Sequence, residues 1–469
     1  MSLKPVVFIP GFPASELRLK ATGEVIFPPA LGDFLSAERK QQLIRLLTGP
    51  DDPPGSVVAG EPIRAVLDIA KQAQTLYDLL NEYGYSTRGG TNFTPIGWDW
   101  RGAVDADQVL ADVAGAIDAL SAQNGGAPVV AIIHSTGGPV FRRCLELRPE
   151  LAAKVEQILA LGIPWAGTLK SFGFIATGEA FGPFPPFQLS AQEVQGIMSH
   201  AQAAYDLLPP DPAKTDMTGV DGKTLDLFVD AAGFQEGPLV DLRWIAADPR
   251  FDYMRQRAQD ADQRLGQRSS EIVLQGAATP PITNVGGWGV GTETRITIDQ
   301  AGQLSPPQFT TEGDGTIPLV SARWLRGNGV RSFILPIGAY PVGQIPMVHS
   351  QIWNSPPMRQ IFDQVLKDTS PAPFVCAAAD GDDAVDPQAA SVRLRLIAVD
   401  ATGQALPNAI ATLQGLNQPQ AFQLGGRVRL EIAVPRTDFR ANVGSDLCRF
   451  EIDVIWDGGR REIPMLTHV

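Results

Sequence analysis

The chain has 469 residues, of which 44% are hydrophobic and 19% are charged, a composition typical of a globular protein with a large core. This length exceeds what one hydrophobic core usually supports, so we expect one large domain and a smaller one. The net charge is −13, from 38 basic and 51 acidic residues, and no basic run occurs, which argues against nucleic acid as the main partner.

The cysteines, histidines and apolar runs narrow the function classes further. Cys144, Cys376 and Cys448 fit neither a disulfide framework nor metal-ligand spacing, and we expect Cys376 and Cys448 to be reduced. The four histidines form no H-x-x-x-H pair, so we expect no metal and no cofactor. No apolar run reaches the length of a membrane span. The N-terminus enters a strand at once, which predicts no signal peptide; the compartment stays open, with the cytoplasm favoured.

The first third of the chain alternates between predicted strands and helices. The predicted strands are Lys4–Pro10, one within residues 83–101, residues 127–134 (APVVAIIH) and residues 155–164 (VEQILALGIP). Helices are predicted at Ser36–Leu47, Ile63–Tyr83, Ala103–Gln123 and residues 136–147. This alternation is typical of an α/β domain whose parallel sheet is covered by helices on both faces.

The alternation of predicted strands and helices stops at about residue 165 and resumes at about residue 270. The intervening segment contains helices and aromatic-proline stretches and few strand patterns, so we expect a helical cap inserted into the domain. Strands are then predicted in SEIVLQGAA (residues 270–278), RITIDQAG (295–302) and VRSFILPIG (330–338), followed by a helix at Met358–Leu366. The large domain is therefore expected to span residues 1–370.

The C-terminal segment has a different period. Residues 371–387 are rich in Pro, Ala and Asp and are expected to be a linker. Residues 388–469 contain short strands that alternate apolar with charged residues, in SVRLRLIAVD, AIATLQGL, GRVRLEIAV and CRFEIDVIWDG. This pattern predicts an all-β sandwich. Because it contains no nucleophile paired with a base, we expect an accessory module that docks on the large domain or binds a partner. Its linker suggests that it can be removed without opening the core.

One stretch, VVAIIHSTGGPV (Val129–Val140), places Ser135 between an apolar strand and a helix. A serine on such a strained turn has its hydroxyl exposed at the carboxyl edge of the sheet, where it can act as a nucleophile. The two glycines that follow let the helix pack close to the strand. Ile133 departs from the usual G-x-S-x-G pattern, and a turn with an incidental serine stays open as an alternative.

A serine nucleophile needs a base, and three histidines lie downstream: His200, His349 and His468. His349 follows the predicted strand RSFILPI in a loop before a helix, which is where the base of a triad is found. A solvent-facing loop histidine is the alternative.

The acid candidate is Asp314, in the glycine-flanked turn of TTEGDGTIPLVSA. A carboxylate at this point can orient the imidazole and stabilise its protonated form. Glu312 is the fallback acid, and a plain D-G turn is the alternative. Backbone N–H groups of Thr136 and Phe12 are the expected donors of an oxyanion hole, with a purely structural P-G-F-P turn as the alternative for Phe12.

Five motifs together resemble a known family. PVVFIPGFPASEL looks like the opening strand and loop of the lecithin:cholesterol acyltransferase family of α/β hydrolases, and GWDWRGAV resembles its D-W-R segment. HSTGG is similar to its elbow, GIPWAGT to a strand end, and EGDGTIPLVSA to its acid loop. The motifs occur in family order between residues 4 and about 367.

The resemblance implies an α/β-hydrolase fold and a Ser135–Asp314–His349 triad, with Phe12 and Thr136 as oxyanion donors. It implies a serine esterase, lipase or acyltransferase that acts on an ester or lipid substrate through an acyl-enzyme. Ile133 and Thr136 depart from the family elbow, and the family's paired lid cysteines are missing from residues 17–60. Transient contact with a membrane or lipid surface, acyl transfer to an alcohol and the oligomeric state stay open.

Two alternatives have a different function. One is a non-catalytic binding protein on a hydrolase scaffold, and the other is a hydrolase of polymeric esters or amides.

Asp99, Trp100 and Arg101 are expected to support the pocket rather than react. The cap aromatics are expected either to line an acyl site or to pack against one another: Phe172, Phe174, Phe181, Phe184 and Phe187.

Overall fold

The computed structural model describes residues 3–468 with internal gaps. The gaps are residues 30–35, 49–54, 67–69, 72, 88–91, 177, 179–188, 210–227, 232–251, 266–268, 299–307, 311–312, 328, 336, 340, 343–344, 347, 368–373, 380–389, 401–404, 428 and 440–446. Among the helices outside these gaps, none is both long and apolar enough to cross a membrane. Glu312, Phe181, Phe184 and Phe187 lie outside the described residues, as do the side chains of Cys376, Cys448 and His468.

The described helices and strands follow one another along the chain in two parts. The α-helices are Ala37–Thr48, Gln74–Glu82, Asp107–Gln123, Gly137–Leu147, Leu169–Ala176, Ala191–His200, Gln202–Asp206, Asp252–Leu265, Leu319–Ala322 and Pro356–Lys367. Short 3-10 helices are Pro149–Lys154, Ile337–Ala339, His349–Asn354 and Arg436–Asp438. The strands before residue 370 are Val6–Ile9, Ser15–Leu19, Val25–Phe27, Val57–Pro62, Ala65–Val66, Ala70–Lys71, Phe93–Pro95, Val129–His134, Val155–Leu161, Phe228–Ala231, Ile282–Gly287, Thr292–Ile298, Gln308–Thr310, Val330–Leu335, Pro341–Val342 and Ile345–Pro346. Those after it are Phe374–Ala379, Ser391–Val399, Ile410–Gln414, Gln420–Gln423, Arg429–Pro435, Leu447–Trp456 and Gly459–His468.

A six-stranded sheet forms the centre of the α/β part. Its strand order begins at Val330–Leu335 and continues through the strands that start at Ile282, Val155, Val129, Val6 and Phe93. The strand Val129–His134, which we call the elbow strand, is parallel to both of its neighbours and fully buried along its length. A strand buried on both faces reads as a continuous apolar run. The predicted α/β class is confirmed.

Helices cover this sheet as their apolar spacing predicts. The helix expected from Ala103 begins at Asp107 and buries Val109, Val113 and Ile117 in the core. The elbow helix, Gly137–Leu147, follows the elbow strand and buries Phe141 and Cys144 among others. Each helix buries one apolar face in the core, and this burial supplies most of the stability of an amphipathic helix.

Polar contacts tie the last helix of the predicted cap region to its neighbours. Arg264, on helix Asp252–Leu265, forms ion pairs with Asp105 and, at 2.5 Å, with Asp206. Asp206 is fully buried and also accepts a hydrogen bond from the Val104 N–H at 2.9 Å. A buried carboxylate keeps its charge at tolerable cost only when it is paired and hydrogen-bonded in this way. The described cap residues are mainly helical.

The C-terminal region consists of antiparallel strands, as predicted. One sheet has three strands and the other four, and side chains from both form a single apolar cluster that includes Leu394, Leu413 and Ile452. The strand Phe374–Ala379 lies inside the segment expected to be a linker, where it pairs antiparallel with Ser391–Val399. The linker prediction is wrong for these six residues, because Val375 and Ala377 are buried in the sandwich core.

Two other local predictions are wrong. The segment Ile63–Tyr83, predicted to be one helix, is helical only at Gln74–Glu82. Before that helix, two strands of two residues each, Ala65–Val66 and Ala70–Lys71, pair as a short antiparallel hairpin. The strand expected in residues 270–278 does not form, although Ile272 and Leu274 are buried. Apolar spacing reports which side chains are buried, whereas a strand also needs a hydrogen-bonded partner.

The described chain divides into two compact units. The first contains Met1–Ile282, Glu293–Gln308 and Val320–Val330, and the second contains Thr283–Thr292, Phe309–Leu319 and Arg331–Val469. The domain boundaries drawn from composition at residues 370 and 388 stay a prediction.

The sandwich packs against a specific part of the second unit. Strands Phe374–Ala379 and Gly459–His468 both lie against the 3-10 helix Ile337–Ala339, whose Ile337 is fully buried. Arg461 of the sandwich also donates a hydrogen bond to the side chain of Gln360, on helix Pro356–Lys367. The sandwich strands are therefore packed within the second unit, and the accessory role expected from sequence stays a prediction.

Truncation after Ser370 should therefore lower the thermal stability of the second unit, because it removes the strands that pack on Ile337. We expect a lower melting temperature in calorimetry and an early unfolding phase. The control is Arg461→Ala, which removes one polar contact and should cost about 1 kcal/mol of unfolding free energy. A truncated protein that melts like the full chain would show that the sandwich is an independent accessory module.

Cys144 should be chemically inert in the folded protein. Its thiol is fully buried, and this burial raises the pKa of the thiol to about 12. Since the thiolate is the reactive form, iodoacetamide at pH 8 should leave Cys144 unmodified until guanidinium unfolds the chain. Peptide mapping by mass spectrometry checks this, and alkylation of Cys144 in the folded protein would contradict it.

Candidate active site

Ser135 lies on a tight turn between the elbow strand and the elbow helix. Its φ of 52° is in the left-handed region, which is rare for a residue with a side chain and marks a strained backbone. Its amide donates to the Leu161 carbonyl at 3.0 Å, and its carbonyl accepts from the Gly138 amide at 2.9 Å. The side chain is 8% exposed. This is the conformation that a nucleophile elbow requires.

The glycines around Ser135 are there because no Cβ fits. A Cβ on Gly11 would lie 2.5 Å from the Ser135 Cβ, and one on Gly137 would lie 2.4 Å from the Ile9 carbonyl oxygen. A Cβ on Gly138 would lie 2.1 Å from a methyl carbon of Ile163. A Cβ on any of these glycines would lie 2.5 Å or less from a neighbouring atom, so the packing around the elbow accepts only glycine at the three positions.

Ile133 replaces the first glycine of the usual elbow pattern without disturbing the turn. It is buried in the sheet core, and its register partners are Ile9 on one side and Ala160 on the other. The glycine that the elbow cannot lose is the later one, Gly137, and this glycine is present.

The loop Pro10–Ala14, which we call the donor loop, lies beside Ser135. The Phe12 amide donates a hydrogen bond to the Thr136 side-chain oxygen, Oγ1, at 3.3 Å, and the Ala14 amide donates to the Gly11 carbonyl at 2.9 Å. Thr136 is fully buried. The structure thus brings Phe12, Ser135 and Thr136 together.

The D-W-R segment holds the donor loop in place. The Trp98 indole N–H donates to the Pro10 carbonyl at 3.0 Å, and the Trp100 indole N–H donates to the Ser15 carbonyl at 3.2 Å. The Trp98 amide donates to the Ser15 hydroxyl at 3.0 Å. Both indoles are fully buried, so these bonds are shielded from water and fix the loop firmly.

Arg101 and Asp99 support the same region from outside. Their side chains form a two-point ion pair with N···O distances of 2.6 and 3.0 Å, and Arg101 also donates to the Leu46 carbonyl at 2.8 Å. These contacts are structural, as expected from sequence. The segment therefore positions the donor loop without presenting a reactive group.

Asp314 is a buried carboxylate in the second unit. It is fully buried, and its Oδ1 accepts hydrogen bonds from the amides of Thr316 at 3.0 Å and Ile317 at 2.7 Å. These bonds offset part of the cost of burying the charge. Its other oxygen, Oδ2, is left to accept from His349.

His349 begins the short 3-10 helix that ends at Asn354. Its Nδ1 lies 2.7 Å from Asp314 Oδ2, and its backbone amide donates to the Asp314 carbonyl at 2.9 Å. A carboxylate only accepts hydrogen bonds, so Nδ1 carries the proton and Nε2 is left as the basic nitrogen. The structure brings Asp314 and His349 together as an oriented acid–base pair.

Thr292 and Gly287 build the acid turn, and the sequence reasoning missed both. Thr292 Oγ1 accepts from the Gly315 amide at 2.9 Å and donates to the Val290 carbonyl at 2.8 Å. A Cβ on Gly287 would lie 2.7 Å from the Asp314 Cβ and 2.8 Å from a methyl carbon of Ile337. The glycine-rich run NVGGWGVGT was the available signal, since glycines cluster where backbones approach closely.

The candidate residues fall into two groups. Ser135, Thr136 and Phe12 belong to the first compact unit, whereas Asp314 and His349 belong to the second. His200, the other downstream histidine whose side chain is described, ends helix Ala191–His200, and its Nδ1 bonds the Gly196 carbonyl at 2.6 Å. Among the described residues, no group of three or more His, Cys, Asp or Glu side chains is arranged to hold a metal.

A family model places part of the chain among known proteins. The model for lecithin:cholesterol acyltransferase matches residues 65–247. Over these residues the chain is similar to that family. The match includes Ser135 and Thr136 and ends before Asp314 and His349. The resemblance inferred from the motifs is confirmed.

A relative among curated proteins agrees with this family. The chain is 23% identical to lecithin-cholesterol acyltransferase-like 1 of Arabidopsis thaliana over 231 residues, which is 47% of this chain and 48% of the relative. The chain thus spans about half the length of the curated relative that it matches.

Several solved structures are similar at low identity. The Tle4–Tli4 complex has a TM-score of 0.48 at 14% identity and covers 75% of this chain and 95% of its own. Phospholipase PlaB from Legionella pneumophila has a TM-score of 0.31 at 11% identity, with 99% and 90% covered. The mature Bacillus licheniformis lipase BlEst2 has a TM-score of 0.30 at 11% identity, with 78% and 92% covered. The activities in these names are those of the proteins named.

Gly287→Ala should destabilise the acid turn, because the new Cβ would press on Asp314 and Ile337 at distances under 3 Å. We expect a loss of about 1–3 kcal/mol in unfolding free energy, the usual cost of overpacking, measured by urea denaturation. Gly291→Ala is the matched control, since a Cβ there meets nothing within 4 Å. Equal stability of the two variants would contradict the close packing described for Gly287.

Proposed function

We propose that this protein is a serine hydrolase of carboxylic esters with a lipid-like acyl group, working through an acyl-enzyme. Ser135 is the nucleophile, His349 the general base and acid, and Asp314 the group that orients His349. The amides of Phe12 and Thr136 are the oxyanion donors. Water resolves the acyl-enzyme in hydrolysis, and an alcohol resolves it in acyl transfer.

The observation that carries this proposal is the buried Asp314–His349 pair. A histidine ring held at 2.7 Å by a carboxylate with two further amide bonds is costly to build, and a merely structural histidine does not need it. The carboxylate holds the Nδ1 proton and orients the ring, which is what a general base requires.

The turn at Ser135 is the second observation that supports the proposed reaction. In the proposed reaction, Ser135 Oγ attacks the ester carbonyl carbon while His349 Nε2 takes its proton. The tetrahedral oxyanion is stabilised by the two amides, and its collapse expels the alcohol, which receives the proton from His349. Water or an acceptor alcohol then attacks the acyl carbon with the same base. A positive φ at Ser135 keeps the hydroxyl clear of the sheet edge.

The apolar walls near the donor loop favour an acyl chain. The Phe12 ring packs edge-on against Trp100 at a centroid distance of 5.6 Å and lies 6.2 Å from Phe174. Phe12 and Phe174 are each only partly buried, so aromatic surface is available beside the proposed reacting centre. Such surface binds hydrocarbon.

A non-catalytic binding role is less well supported. It was motivated by Ile133, yet the elbow keeps its positive φ and its close glycines despite this residue. A binding protein has no need of a strained serine together with an oriented histidine. Hydrolysis therefore explains more of the described geometry.

Removal of the proposed nucleophile or base should abolish turnover. We expect Ser135→Ala and His349→Ala each to reduce kcat on a p-nitrophenyl ester by about a million-fold, the loss seen in a comparable triad. Asp314→Asn should cost about ten-thousand-fold, because it favours the wrong tautomer.

The matched control is His200→Ala, which changes a histidine outside the proposed triad and should keep wild-type turnover. Circular dichroism and melting curves establish that each variant is folded. A folded Ser135→Ala protein with wild-type esterase turnover would overturn the proposed function.

A further inference from the structure

The Thr136 hydroxyl occupies an unusual place beside the proposed oxyanion donors. It accepts the Phe12 N–H at 3.3 Å, although that amide is the one expected to bind the substrate oxyanion. The Gly11–Phe12 peptide also lies against Ser135, since a Cβ on Gly11 would be 3.0 Å from the serine Oγ. The two hydroxyls and the amide therefore surround the same small space.

The local sequence explains why this hydroxyl is not used to cap the helix. Thr136 is the N-cap of the elbow helix but makes no side-chain capping bond. An N-cap hydroxyl normally accepts from the second or third helical amide. The third residue is Pro139, which has no N–H, and the second, Gly138, donates to the Ser135 carbonyl. The hydroxyl is thus directed across to residue 12 instead.

The hydrogen bond from the Phe12 N–H to Thr136 Oγ1 is weak enough to be replaced by a bond to a stronger acceptor. At 3.3 Å it lies beyond the usual range for a strong N–H···O contact, whereas an anionic oxygen forms shorter and stronger bonds with the same donor. Among the described residues, this is the one hydrogen bond that the structure gives to Thr136 Oγ1. A hydroxyl that accepts one bond still has its own proton to donate.

We propose that Thr136 is a catalytic residue whose hydroxyl is a third donor to the oxyanion. This inference rests on the proposed function. In the resting protein Oγ1 satisfies the buried Phe12 amide and keeps the donor loop in place. When the tetrahedral intermediate forms, the Phe12 N–H turns from Oγ1 to the oxyanion, and the Thr136 O–H donates to that same oxygen. No covalent bond beyond those of the ester reaction forms or breaks.

The test compares Thr136→Val, which keeps the shape and removes the hydroxyl, with Thr136→Ser, which keeps the hydroxyl. Loss of one oxyanion donor costs about a hundredfold in kcat or more. We expect this loss in Thr136→Val with KM changed by less than threefold, and turnover in Thr136→Ser within about fivefold of wild type. The affinity for an alkyl boronic acid, which forms a tetrahedral adduct with a serine, should fall in parallel with kcat in Thr136→Val.

Three results would overturn the inference. They are a folded Thr136→Val protein with kcat within threefold of wild type, an effect on KM alone, and a Thr136→Ser protein as slow as Thr136→Val. Ser135→Ala, assayed alongside, separates this failure from failure of the proposed function. If Ser135→Ala is inactive while Thr136→Val is fully active, the triad stands and the third donor is refuted. If Ser135→Ala is active, the proposed function itself is wrong.

Discussion

The backbone crowding around Ser135 is the constraint on which the first unit depends. The donor loop, the elbow strand and the elbow helix meet at distances where an added Cβ at Gly11 or Gly137 would lie 2.5 Å or less from its neighbour. This approach forces Ser135 into a positive φ and brings the Phe12 amide to Thr136. The buried indoles of Trp98 and Trp100 then hold the loop from behind. A strained backbone conformation of this kind persists because several surrounding contacts hold it in place.

The second unit is organised around a buried charge instead. Asp314 is tolerated in the interior because three hydrogen bonds satisfy its two oxygens. Thr292 shapes the turn that presents it, and Ile337 packs beside it across Gly287. The sandwich packs on the 3-10 helix that contains Ile337. The C-terminal strands therefore contact the short helix whose Ile337 lies near Asp314.

The sequence predicts a structural element best where a single pattern of side chains is enough to identify it. The elbow was recognisable because a fully apolar strand runs directly into Ser-Thr-Gly-Gly, and four sandwich strands were recognisable by strict alternation. The prediction failed for residues 270–278, where burial does alternate, with Val273 72% exposed between two buried residues, but no ladder forms. The strands Gln420–Gln423 and Gly459–His468 were missed because their polar and charged residues hide the alternation.

Close approaches and long-range hydrogen bonds could not be predicted from sequence at all. The role of Gly287 depends on which side chain lies opposite it, and the role of Thr292 on an amide 23 positions away. The Thr136 hydroxyl is the clearest case. Its sequence position indicates a helix cap, while its partner is an amide 124 positions earlier in the chain. Such contacts are properties of the tertiary fold, in which propensity plays little part.

The central claim is that Ser135 is an activated nucleophile, and covalent labelling tests it most directly. A fluorophosphonate reacts with serines whose hydroxyl is activated by a base and placed beside oxyanion donors. We predict a single adduct on the folded wild-type protein, mapped by mass spectrometry to the peptide containing Ser135, and no adduct once guanidinium has unfolded the chain. An intact folded protein that takes up no label, or that carries it on another residue while Ser135 stays unmodified, would contradict the account.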